Sequence, residues 1–147
     1  MIKKSLFISS MLIMSVAFVS CKKEEGCTDK NASNYSADAE EDDGTCTYKG
    51  SVVFWYGQAT SEELQFDLSS SLSFYVDGII VGSTATTQYW TGGPACGANG
   101  SITVEKDLGL VKSKSYPYQV KDDWGDVIWE GNVTVDANSC LAFELTY

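Results

Sequence analysis

From residue 50 to the C terminus this chain alternates apolar and polar residues with a period of two, in short runs separated by turn-forming residues. That rhythm fits side chains pointing to opposite faces of a β-strand and conflicts with the 3.6-residue repeat of a helix. Leu72, Phe74 and Val76 share one face, and Asp77-Gly78 then marks a tight hairpin into Ile79-Ile80-Val81. Val52, Phe54 and Tyr56 point one way, with Val53 and Trp55 pointing the other. Ile102 with Val104, Tyr116 with Tyr118 and Val120, and Leu141 with Phe143 and Leu145 add further strands. Val127, Trp129, Val133 and Val135 line one face of a long strand, with Gly131 expected as a bulge between them. Pro117, which has no ladder donor, is expected on an edge strand. About seven strands without a helical stretch predict an all-β fold, a single antiparallel β-sandwich over residues 50–147.

The segment before it has a different character. Residues 22–49 are acidic, rich in small polar side chains and nearly devoid of aliphatics, so they cannot bury enough surface to fold unaided. Ahead of them, Lys3 and Lys4 precede an apolar run from Leu6 to Val19, and Phe18-Val19-Ser20-Cys21 offers a cleavage site. A run of that length is short for a membrane span of roughly 20 residues and suits the 7–15-residue core of a removable signal. A cysteine directly after a small residue predicts a lipoprotein: residues 1–20 leave, and Cys21 becomes the acylated N terminus. Two or more acyl chains anchor stably where one does not. Phe18 stands where leucine is usual in such a site.

Five cysteines are present, and setting Cys21 aside leaves an even four: Cys27, Cys46, Cys96 and Cys140. An exported chain is expected to use them as disulfides. Three pairings are open. The pairing of 27 with 46 and 96 with 140 keeps each bridge within its own segment, closing loops of about 20 and about 45 residues for roughly 3 and 4 kcal/mol of chain entropy.

Two stretches resemble known modules. Gly26-Cys27-Thr28-Asp29-Lys30-Asn31-Ala32-Ser33-Asn34-Tyr35, closing with Asp42-Asp43-Gly44-Thr45-Cys46, resembles the GCTDxxAxNYxxxAxxDDGxC repeat of secreted and surface proteins of Bacteroidetes. Lys22-Lys23-Glu24-Glu25, close behind Cys21, resembles the export signal of surface lipoproteins in the same group. Together they imply a lipid-anchored outer-membrane protein facing the cell surface; the alternative is a periplasm-facing anchor. The last 95 or so residues, with Tyr116-Pro117-Tyr118, Asp122-Asp123-Trp124-Gly125 and Trp129-Glu130-Gly131-Asn132, are similar to small single-sandwich lipoproteins of that group. More distantly they resemble Ig-like, transthyretin-like and carboxypeptidase-regulatory-like modules. That likeness implies a fold and a binding or accessory role, and carries over no functional residue.

The formal net charge is −10, every cation is a lysine and there is no histidine. Such a chain repels nucleic acid and lacks the commonest general base and transition-metal ligand, so neither a nucleic-acid partner nor an enzyme is expected. Glu62-Glu63 and Asp122-Asp123 are adjacent pairs, which do not by themselves form an acid/base couple with separated roles. In the acidic segment Asp29, Asn31 and Ser33 fall at alternate positions, with Glu40 eleven residues after Asp29 and Asp42 and Asp43 close by. This echoes the oxygen-ligand spacing of a calcium loop, though Asn34 replaces the turn glycine, so Ca2+ is the candidate cofactor and an acidic spacer the plainer reading. Trp55 and Trp129 fall in strands and read as core. Tyr89, Trp90 and Trp124 fall in loops and are the candidate binding aromatics, able to stack on a sugar face or fill a partner's pocket. The leading expectation is an accessory, protein-binding subunit of an outer-membrane assembly; a glycan-binding module and a structural surface component are the alternatives.

Overall fold

The computed structural model describes residues 23–147. The signal segment 1–20 and the acylation site Cys21 lie outside the described residues. Seven strands form two facing sheets. β3 (Tyr48–Trp55) is flanked by β6 (Ile102–Gly109) and β9 (Cys140–Glu144), while β4 (Ser71–Val76) and β7 (Ser113–Asp122) lie between β5 (Ile79–Ala85) and β8 (Val127–Asp136). Every neighbouring pair runs antiparallel except β3 with β9. The fold is an all-β sandwich.

The alternation in the sequence becomes the core. Val52, Phe54, Leu72, Phe74, Val76, Tyr116, Val120, Val133 and Val135 are buried between the sheets. Phe54 is the hub of an aromatic cluster, with ring centroids 5.9 Å from Phe74, 5.5 Å from Tyr118 and 5.7 Å from Phe143. Asp77 and Gly78 both adopt positive φ, the left-handed pair that a two-residue hairpin demands. On the outer face of β3, Val53 is also fully buried. The loop tied down by the Cys96–Cys140 disulfide lies over that face: a side chain at Gly93 would meet Ala142 and the Trp55 indole. The Trp55 Nε1 donor is buried beneath this loop without an acceptor.

Three expectations are corrected. A helix, α1 (Gln58–Phe66), interrupts the strands. Its only large buried apolar side chain is Leu64, so it carries no apolar stripe to betray it. Pro117 lies in β7, an interior strand. Its carbonyl accepts from Asp77 N at 2.8 Å, so its nitrogen faces the side where β4 has already ended and no ladder bond is lost. Gly131 is not a bulge: it pairs in register with Tyr118, and a Cβ there would sit 3.2 Å from the Tyr118 ring. The register shift falls between Val120 and Lys121 instead.

The acidic segment is packed against the sandwich rather than trailing from it. Cys27 and Cys46 are bridged, and with Ala32 they join the same buried cluster as Tyr48. A short parallel pairing of β1 (Glu25–Gly26) with β2 (Glu41–Asp42) closes the loop.

Candidate functional site

Three of the six calcium candidates, Asp29, Asp42 and Asp43, have their carboxylates engaged in internal bonds. Asp29 Oδ1 accepts from Asn31 N at 2.9 Å, and its Oδ2 accepts from the Tyr48 hydroxyl at 2.9 Å and from Lys112 Nζ at 2.6 Å. Lys112 also lies over the Tyr48 ring, 5.8 Å from its centroid. These contacts, the Lys112 hydrogen bond first, pull the Asp29 carboxyl down to about 2. The same bond pushes the Lys112 ammonium up. Asp42 accepts from Thr28 and Gly44, and Asp43 from the Thr45 amide and hydroxyl. Glu40, Asn31 and Ser33 are exposed. Asn34, at the place of the missing glycine, accepts from Thr47 N and donates to the Thr45 carbonyl, each at 2.8 Å. Among the described residues no three acidic side chains converge on a point where a metal could sit. A lysine ammonium occupies the carboxylate that a cation would need first.

The three loop aromatics have separate fates. Trp90 is half-buried, its amide donating to the Tyr56 carbonyl at 3.0 Å. Tyr89 is exposed beside it. Trp124, in the β7–β8 turn, is 74% exposed. The ring pairs of the molecule run through Phe54, Phe74, Tyr56, Tyr118, Trp129, Phe143 and Tyr147, and none includes Tyr89, Trp90 or Trp124.

Trp124 has other apolar company. β3 and β7 both start beside the acidic segment and run away from it, ending at α1 and at the 123–126 turn. At their lengths of 8 and 10 residues that far end lies roughly 25–30 Å from the end that the acidic segment occupies. Here Phe66 is 86%, Leu68 78% and Tyr147 58% exposed. Asp123 takes the amide of Ser70 at 2.9 Å and its hydroxyl at 2.8 Å, which lock the turn to the helix end and hold the Asp123 carboxyl below its usual range. The Tyr147 hydroxyl donates to Asp67 Oδ2 at 2.8 Å, a bond that raises its own pKa.

Leu68 is the most unusual of these residues. Its φ is +65°, and it sits where α1 closes with Ser69 N bonding the Leu64 carbonyl and Leu68 N bonding the Gln65 carbonyl. Glycine is usual at that position, because a Cβ strains the left-handed conformation. A leucine held in left-handed backbone and left in water breaks a local rule twice. Around it stand Glu62, Glu63, Asp67, Asp122, Asp123 and Asp126, and neither α1 nor the turn contains a lysine. Sequence reading found Trp124 but missed Phe66, Leu68 and Tyr147; the Phe66-Asp67-Leu68 run breaking off into three serines was the available signal.

No protein-family model, curated protein or solved structure matches this chain.

Proposed function

We propose that this chain is an outer-membrane lipoprotein, acylated at Cys21 and facing the cell surface, that serves as a non-catalytic, protein-binding accessory subunit of a larger outer-membrane assembly. The observation that carries the reading is the apolar far end formed by Phe66, Leu68, Trp124 and Tyr147. Contiguous exposed apolar side chains mark interaction surfaces, and aromatic anchors dominate their energetics. Charge narrows the choice of partner. The acidic rim disfavours an anionic lipid surface and a second copy of the same end, and suits an apolar pocket edged by Lys or Arg. Position supports it too: the tether leaves from the acidic segment, so the far end projects away from the membrane.

The test places a photo-crosslinking residue at position 124 in intact cells, with position 30 in the acidic segment as the control. The reading expects a discrete heteromeric adduct from 124 and none from 30, weakened by salt, recovered in mild detergent, and mapped by mass spectrometry to a site beside basic residues. Adducts to lipid, to a second copy, or to nothing overturn the partner reading. Protease added to the same cells tests the orientation, and full protection of the chain overturns surface display. The glycan alternative through Tyr89, Trp90 and Trp124 has less support, since Trp90 is turned into the fold while Trp124 is not.

A further inference from the structure

The outer face of the four-stranded sheet carries a second feature, independent of the far end. Register places Tyr75 of β4 beside Gln119 of β7, and Gln119 beside Glu130 of β8, in a row across three strands. Gln119 Nε2 donates to Glu130 Oε2 at 3.1 Å. Lys121 flanks this row on one side, and Pro117 with Asn132 on the other. The face carries an open groove of about 640 Å³ lined by these residues together with Gly78, Tyr118 and Gly131. That lies within the range of small-ligand sites, roughly 300–1,000 Å³. Lys121 Nζ lies over the face of the Tyr75 ring, 5.5 Å from its centroid, and both side chains line the groove, so a ligand stacking on that face must displace the lysine.

The lining selects the ligand by elimination. The lining itself contains no aliphatic side chain larger than proline, and the exposed Ile80, which pairs with Tyr75, stands at its edge, so the groove offers little apolar area to a protein interface. One lysine against one glutamate leaves the groove locally neutral in a strongly acidic chain, which favours neither an anion nor a cation. What it does present is an aromatic face together with planar amide and carboxylate groups: the Gln119 carbonyl, the second Glu130 oxygen and both ends of the Asn132 amide. Such groups match adjacent hydroxyls, while an aromatic face, negative by its quadrupole, attracts the C–H face of a sugar ring. We propose that the outer face of the four-stranded sheet binds a neutral saccharide, with Tyr75 as its stacking platform and Gln119, Glu130 and Asn132 as its hydroxyl partners.

The full mature lipoprotein, held in a zwitterionic detergent so that no glycosidic headgroup competes, is titrated calorimetrically with neutral gluco-, manno-, galacto- and xylo-oligosaccharides and with one acidic oligosaccharide. Binding is expected from at least one neutral series. It should weaken about tenfold with Tyr75→Ala, survive Tyr75→Phe, and weaken several-fold with Gln119→Ala. A neutral ligand also predicts little change in affinity with salt, opposite to the expectation for the far-end partner. Circular dichroism of each variant confirms the fold, and the conservative Tyr75→Phe variant separates a stacking role from a hydroxyl one. No heat from any neutral series, a preference for the acidic one, or affinity lost in Trp124→Ala and kept in Tyr75→Ala overturns the proposal. Because the photo-crosslinking test reads position 124 and this one reads position 75, either can fail alone.

Discussion

Two single residues set conditions on the rest of the molecule. Asp29 joins the acidic segment to the sandwich through Lys112 and Tyr48, and its carboxyl is held at about 2. A depressed carboxylate stabilises the fold above its ordinary pKa of 3.8, and that contribution disappears as pH falls through about 2. The amides of residues 27–46 should therefore lose hydrogen-exchange protection between about pH 4 and pH 2, while the sandwich strands keep theirs. Lys112→Ala should move the onset to higher pH, as read by carboxyl NMR titration of Asp29. Leu68 gives the second prediction. Left-handed backbone costs a leucine about 1–2 kcal/mol, of which the greater unfolded freedom of glycine offsets roughly half, so Leu68→Gly should stabilise the chain by about 0.5–1 kcal/mol. A urea midpoint checks it. On the proposed partner reading the same change should weaken the adduct at position 124, because it removes an apolar side chain from the proposed contact.

Among elements, Gly50 in β3 lets the two sheets approach closely. A Cβ there would run into the Asp136 carbonyl and lie 2.8 Å from Val135 Cγ1, both in β8. Gly50→Ala should therefore cost about 1–3 kcal/mol by forcing the sheets apart, measured as a lower denaturation midpoint with unchanged secondary structure. Strands were the legible part of this chain because a half-buried strand writes its burial at every second residue. The helix was illegible for the complementary reason: α1 buries Thr60, Ser61 and Leu64, two of which are polar. Ser61 is satisfied by donating to the Thr86 carbonyl at 2.7 Å, a contact that no local pattern announces. Pro117 shows a similar limit, since an interior strand tolerates it only where its neighbour stops one residue short.

At the scale of the whole molecule, what was legible was chemistry that stays local and what was not was adjacency. The cysteines could be paired because each bridge belongs to its own segment. Tyr75, Gln119 and Glu130 could not be grouped, because alternation gives the face of each residue but not the order of the strands. Phe66, Leu68 and Trp124 share a pole only because a helix and a turn end there, joined by the Asp123–Ser70 bonds. The Cys96–Cys140 bridge also acts at this scale, holding the loop over Trp55. Replacing both cysteines by serine should cost about 4 kcal/mol of stability and expose the Trp55 indole, seen as a red shift in emission.

The Cys27–Cys46 bridge has a mechanical consequence. A pull on the N terminus passes through the disulfide directly into the start of β3, bypassing residues 28–45. β3 is the central strand of its sheet, bonded to β6 on one side and β9 on the other. Load applied along that strand against the far end shears both ladders at once instead of peeling them bond by bond. A partner gripping the far end and a membrane holding the near one would thus stretch this domain along its most resistant direction.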